Sequence, residues 1–522
     1  MNENKIKSPI PVIDLFAGPG GLGEGFAAFT NEKTKKIFRI ALSIEKDEYA
    51  HQTLELRSFL RQFDKNKIPQ QYYEHLRGNI SRAELYNRFG LKSDKARKEA
   101  WKAELGLTPV KEIDDRIREA LDGEKTWVLI GGPPCQAYSV IGRVRQQWQN
   151  GLDENDPRVF LYREYYRILA MHSPPVFIME NVKGLLSSKI SDKNIFEVIL
   201  NDLKNPTLAY QKLHGKSNLL SDCPGYYLFS LVIKPKGYSL GGDPDFEPED
   251  FIIKAENFGI PQKRHRIIIL GIRKDFFLNE PDVLINKELI AIEKVINRLP
   301  PLRSGISKGE DNKANWEYLI KNFSSHVVFK NLNEESKNCL LNIIKNIRAP
   351  KYDRGNEFLE YTIGLDYLEE QQWFLDKKIE GICNHTTRSH LPEDLYRYLF
   401  AACFAKLNKK SPKLEDFPDK LLPKHRNVKG GDFTDRFRVQ IYGEPSRTIT
   451  SHISKDGHYY IHPDPSQCRS LTVREAARIQ TFPDNYLFSG PRTSQYQQVG
   501  NAVPPLLARQ IANTIYNLFI RY

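Results

Sequence analysis

The chain contains no run of 18 or more apolar residues, so no membrane span is expected. Its opening, MNENKIKSPIPVIDLF, lacks the apolar segment and cleavage site of a signal peptide. The protein is therefore expected to stay in the compartment where it is made, the cytoplasm of a bacterial-type cell. Cysteine is sparse: Cys135, Cys223, Cys339, Cys383, Cys403 and Cys468 are scattered with no C-x-x-C pair, which argues against a disulfide framework and a zinc ribbon. Cys383, His385 and His390 in CNHTTRSH are metal-binding residue types without a fourth ligand at the usual spacing. That segment reads as structural, and no metal is expected. Internal repeats and low-complexity tracts are also missing.

What is present is ordinary for a soluble globular protein: 40% hydrophobic and 27% charged residues. A length of 522 residues allows a large core and more than one domain. Lys and Arg number 77 against 65 Asp and Glu, a formal charge of +12 that mildly favours a polyanionic partner.

The first third alternates strand-like and helix-like segments. PVIDLF, RIALSIE, TWVLIGG and PVFIMENV are strand candidates, and RHRIIILGIR follows near residue 270. This predicts an α/β domain on a mostly parallel sheet with helices on both faces. The catalytic unit is assigned to residues 1–275, with a charged helical insertion over about 81–120. A Lys-, Asn- and aromatic-rich stretch over 276–440 reads as a smaller second domain, and 441–522 as a segment returning to the first. In that last segment Leu506, Leu507, Ile511, Ile515 and Phe519 recur at helical spacing.

DLFAGPGGLGEGF places Gly18, Gly20 and Gly23 in a G-x-G-x-x-G pattern after the first strand. No Lys-Ser or Lys-Thr follows, which excludes a P-loop. Glu45, at the end of the second strand, is suited to accept the hydroxyl hydrogen bonds of a ribose. A dinucleotide and S-adenosylmethionine both satisfy these residues, and the loop alone does not separate them.

GGPPCQAYS separates them. Cys135 follows two prolines at a strand's carboxyl end, where ligands of such sheets bind. Proline fixes φ, which suits a side chain whose position must not drift. Together with MENVKGL (Met179–Leu185), IPQKRHRIIILGIR, REAARIQTFPDNY and QQVGNAVPPLLARQIA, in that order, the chain resembles the DNA (cytosine-5) methyltransferases of bacterial restriction-modification systems.

The resemblance implies S-adenosylmethionine as cofactor and cytosine in double-stranded DNA as substrate. It implies that the Cys135 thiolate adds to carbon 6 of the base, making carbon 5 reactive towards a methyl donor. Glu180 would engage the N3 edge, while Arg264 and Arg266, alternating along a strand, would orient the base and the catalytic loop. Phe16 would pack on the adenine with Pro134 near it, and Asn501 and Val503 would close the pocket from the far end of the chain. Arg474, Glu475 and Arg478 would brace the recognition domain. The target base would rotate out of the duplex, at a cost of a few kcal/mol.

One position departs from the family. Where Gly-Asp-Ile is common, this chain has RGNI, so Asn79 is the expected acceptor for the adenine amino group. A restriction endonuclease is the expected functional partner and a monomer the expected state. Two rival readings are a catalytically silent DNA-binding protein of the same fold and an NAD-dependent oxidoreductase. The first is opposed by the presence of both Cys135 and Glu180, the second by the Cys, Glu and Arg motifs it leaves unexplained.

Overall fold

The structure is a computed structural model, and it describes residues 9–31, 35–134, 157–190, 193–214, 223–362, 371–423 and 435–521. Eight strands build the central sheet: β1 (Ile10–Leu15), β2 (Phe38–Glu45), β3 (Ala100–Lys102), β4 (Val128–Gly131), β5 (Val176–Val182), β6 (Tyr226–Phe229), β7 (Ile252–Lys254) and β8 (His265–Arg273). Their order is β3-β2-β1-β4-β5-β8-β6, with β7 pairing alongside β8. β1 to β5 run parallel, and β8 enters antiparallel to β5 with Arg266 opposite Val182. Every sequence-predicted strand is present.

Both faces of the sheet are apolar because helices cover both, as parallel sheets require. On one face Val12, Ile130, Ile178 and Leu270 pack against Phe26 and against Leu507, Ile511, Ile515 and Phe519 of the last helix, Pro505–Arg521. On the other, Leu15, Leu129, Phe177 and Ile269 meet Ile113 and Ile117 of the Val110–Leu121 helix and Ile168 and Leu169 of the Pro157–His172 helix. The β1–β2 register slips between Val12 and Ile13, leaving Ala41 extra on β2. This bulge sends Phe38 and Ile40 to one face and Leu42 and Ile44 to the other.

The expected insertion at 81–120 is only partly one. Helices Arg82–Arg88 and Gly90–Glu99 pack on the Glu48–Arg61 helix through Tyr86 and Phe59. Residues 100–121 are integral: β3 extends the sheet beside β2, and the next helix covers it. A second core contains Ile306, Trp316, Leu340, Tyr398, Leu399, Phe437, Ile461 and Cys468. The smaller lobe's own core thus runs later than 276–440, because Phe276 and Leu284 still belong to the sheet's core. Among the described residues no helix is long and apolar enough to cross a membrane.

Candidate active site

The carboxyl ends of β1, β2, β4 and β5 open into one cleft of about 1110 Å³. Phe16, Gly18, Glu45, Pro134, Glu180, Arg264, Arg266, Asn501 and Val503 all line it. Sequence positions 16 and 503 thus share one cavity. Gly20 and Gly23 lie behind the wall, in the cap and first turn of the Gly21–Ala28 helix. Cys135 lies outside the described residues; Pro134, directly before it, borders the cleft.

Two groups organise the cavity. The first surrounds Glu45, at the end of β2. Gly18 N–H donates to its Oε2 at 2.7 Å and Asp47 N–H to its Oε1 at 2.7 Å. Burial raises its pKa against these two bonds. Asp47 also caps the following helix by accepting from Ala50 N–H at 2.8 Å, so the carboxylate and the helix share one anchor. Phe16 holds φ = 55°, an unusual backbone state for a bulky residue and one that concentrates at ligand sites.

The second group surrounds Glu180, on β5. Its Oε1 forms an ion pair with Arg266 Nε at 2.9 Å, and both side chains are mostly buried. Asn181 Nδ2 donates to Pro133 O at 3.4 Å, fastening the loop before Cys135 to β5. Gly132 makes room: a Cβ there would stand 2.9 Å from Glu180 Oε2. Arg264 is completely enclosed and donates through Nη1 to Ile449 O at 2.8 Å and Gly500 O at 3.2 Å. Burial, then the neighbouring Arg266, holds its pKa well below the usual arginine range. Its role is to join β8 to the two late segments bordering the cleft, while Arg266 holds the acid.

Asn79 is a correction. It is exposed on the turn after the Gln70–Leu76 helix, its N–H bonded to Glu74 O, and it does not line the cleft. The third strand ends at Lys102, and the residues after it that reach the cavity are Ala103 and Leu105. RGNI matches the motif by letters but belongs to a helix–helix turn.

Asp14 was not singled out from sequence. It is 1% exposed at the end of β1, borders the cleft, and neither carboxylate oxygen has a hydrogen-bond partner of good geometry. Burial pushes its pKa up to about 8; Arg61 and the Gly23 N–H oppose this, and Glu45 adds to it. An acid inside the otherwise apolar run VIDLF was the available signal.

Side chains of the CNHTTRSH segment are held by contacts within the protein. His385 bonds Thr472 Oγ1 at 2.9 Å and Pro300 O at 3.0 Å, and Cys383 is buried against Leu76 O. No three potential ligands cluster as a metal site among the described residues. Arg474, Glu475 and Arg478 are fully buried braces: Glu475 takes Arg469 at 2.7 Å through each oxygen, and Arg478 pairs with Asp484 at 2.7 Å.

A sheet ordered 3-2-1-4-5 with an antiparallel strand inserted beyond β5, and a cleft at its carboxyl edge, defines the Rossmann-like methyltransferase fold. Residues 72–211 and 243–517 match the C-5 cytosine-specific DNA methylase family, and the chain belongs to it. Type II methyltransferase M.Bpa9945I of Bacillus paralicheniformis is 32% identical over 97% of this chain and 98% of its own length. The DNA (cytosine-5-)-methyltransferase M.ApeKI of Aeropyrum pernix is 26% identical over 76% of this chain and 82% of its own. A solved E. coli prophage structure, assigned as a DNA modification methyltransferase, shares the fold with a TM-score of 0.52 at 18% identity, covering 98% of this chain and 99% of that one. The protein is a DNA (cytosine-5-)-methyltransferase of the restriction-modification type.

Proposed function

We propose that this enzyme methylates carbon 5 of a cytosine rotated out of duplex DNA, through a covalent adduct on Cys135 and with S-adenosylmethionine as donor. The observation that carries the reading is the fastening of Pro133 by Asn181, which sets the loop preceding Cys135 beside the Glu180–Arg266 pair.

The residues fit the cofactor. Asp14 and Glu45 are two acids on the cleft with no ion pair among the described residues, and Asp14 has two unsatisfied oxygens. Such a site suits a ligand carrying ammonium and sulfonium charges together with a ribose. Glu45, fixed by two N–H groups, would accept from the ribose, and Phe16, Pro134, Asn501 and Val503 would enclose the remainder. When bound, the cofactor supplies an electrophilic methyl group.

The chain's own residues would prepare the base. The Cys135 sulfur forms a bond to carbon 6, and the electron pair of the 5,6 double bond moves into the ring, towards N3 and carbon 5. Glu180, positioned by Arg266, would stabilise that density in its protonated form, its carboxyl O–H donating to N3. After methylation, the carbon 5 proton passes to water, and its bonding pair re-forms the 5,6 double bond and expels the sulfur as the Cys135 thiolate. Arg264 holds the walls around this chemistry through Ile449 and Gly500. The recognition lobe, with the basic balance of the chain, would hold the duplex by its phosphates and read its bases. A restriction endonuclease of the same target would be its functional partner, a reading supported by the likeness to type II methyltransferases.

A duplex carrying 5-fluorocytosine at the target tests the reading, because fluorine replaces the proton that must leave. Wild-type enzyme with cofactor should form an adduct that survives denaturing electrophoresis, and Cys135→Ser should form none. A wild-type enzyme that methylates cytosine but never becomes trapped would exclude the covalent route.

A further inference from the structure

Arg388 belongs to the CNHTTRSH segment and lies outside the residues assigned to chemistry. Its guanidinium is almost wholly buried and grips three consecutive backbone carbonyls: Ile453 O through Nη2, and Ser454 O at 3.3 Å and Lys455 O at 2.7 Å through Nη1. These carbonyls end a single helical turn, Ser451–Ser454, which is too short to satisfy them internally. A cation at that end is electrostatically favoured, and a planar fork can reach several acceptors at once. The guanidinium also stacks 4.1 Å above the ring of Tyr496, whose hydroxyl is fixed to Leu471 O at 2.6 Å.

The same turn borders the cleft at its other end. Thr450 and Ser451 line the cavity with Glu180, Arg264 and Arg266. Arg264 holds the carbonyl of Ile449 just before them, and the hydroxyl of Tyr460 bonds Thr450 Oγ1 at 2.8 Å. The Arg492–Asn501 helix meets this wall backbone to backbone, since a Cβ on Gly500 would fall 2.3 Å from Ser451 N. The turn is therefore gripped at one end by Arg264 of the sheet and at the other by Arg388 of the recognition lobe.

We infer that Arg388 is a positioning residue for the extrahelical base: by holding the end of the Ser451–Ser454 turn it sets Thr450 and Ser451 as a wall of the base pocket. The inference rests on the base-rotation reading above. Because Arg388 touches neither the Glu45 group nor Glu180, its loss should act on the fit of the base and spare cofactor binding.

Arg388→Lys keeps the charge and removes the fork, and is the first variant. Tyr496→Leu removes the ring beneath the guanidinium without deleting any bond to the turn, and serves if Arg388→Lys does not fold. Once methylome sequencing has identified the target, 2-aminopurine at the target position reports rotation by its fluorescence. We expect either variant to bind S-adenosylmethionine and duplex within threefold of wild type, with less than half the fluorescence rise and at least a tenfold loss of kcat. Millimolar guanidinium should restore part of the kcat of Arg388→Ala. Wild-type fluorescence and kcat in Arg388→Lys would overturn the inference, as would equal losses of cofactor binding, duplex binding and rotation in both variants. Wild-type enzyme with no fluorescence rise would instead overturn base rotation itself, and this inference with it.

Discussion

The hydroxyl of Tyr486 donates to the carbonyl of Pro19, joining residues 467 apart in sequence. The bond runs from FPDNY, late in the chain, to the middle of the glycine loop. Arg57 lies 4.4 Å over the same ring, and Gly20, at φ = 96°, leaves the hydroxyl room. Tyr486→Phe should leave the Pro19 carbonyl unpaired and the ring packing intact. A neutral hydrogen bond contributes about 0.5–1.5 kcal/mol, so the Kd for S-adenosylmethionine should rise about two- to tenfold. Calorimetric titration measures this; an unchanged Kd would mean that the loop holds its shape without Tyr486.

Asp14 predicts a pH dependence. In the free protein its pKa is pushed up to about 8 from an ordinary 3.8, so the folded state keeps a proton that the unfolded chain releases. Its contribution to stability should fall as pH rises from about 4 to about 8 and level off above. A cationic ligand favours the ionised form, so cofactor affinity should climb between about pH 6 and 8 with release of a proton. Titrations in buffers of different ionisation enthalpy count that proton, and Asp14→Asn should abolish the climb. Equal affinity at both ends of the range would exclude Asp14 from contact with the ligand's charge.

Glu180 and Arg266 should behave as one unit. Glu180→Gln removes the acid and should lower kcat by about 10²-fold or more, the usual contribution of a positioned acid. Arg266→Gln should also lower it, and the double variant should be little worse than the more damaged single one. Fully additive losses would mean that the 2.9 Å pair in this structure is not maintained during turnover.

Glu475 carries stability. Burial alone would raise its pKa, but bidentate Arg469 overcomes that and holds it well below the usual carboxylate range. The stabilisation is therefore fully present above the ordinary glutamate range, and it is lost progressively as pH falls from there through the depressed pKa of the folded state. Glu475 also completes a capping box with Thr472. Glu475→Gln strands a buried guanidinium and should cost about 3–5 kcal/mol at neutral pH, read from urea unfolding. A loss below about 1 kcal/mol would mean that Gln467 and the Leu302 carbonyl suffice for Arg469.

The sheet's long strands were legible because β1, β2, β4, β5 and β8 are apolar runs ending in polar loops. β3 was not: Ala-Trp-Lys is three residues long and half-open to solvent at the sheet's edge, with no period to detect. Without it, the letters of RGNI, after the second strand, stood in for the family's Gly-Asp-Ile. Asn79→Leu should consequently leave cofactor affinity unchanged. The site's acids and arginines carried recognisable local motifs, whereas Arg388 and the Ser454 carbonyl meet only through folding, across 66 positions of unremarkable sequence. Asp14 gave one local signal, an acid inside the apolar run VIDLF, but its lack of a partner emerges only from the fold.

The Pro19–Tyr486 bond also has a consequence for biosynthesis. Ribosomes add roughly 5–20 residues per second, so the glycine loop emerges roughly 20–90 s before the tyrosine that fastens it. Asn501, Val503 and the last helix arrive later still. A nascent chain can already hold Phe16 and Glu45 while lacking one wall of the cleft they line. Under the proposed function, a chain truncated before Asn501 would lack that wall and should bind S-adenosylmethionine weakly.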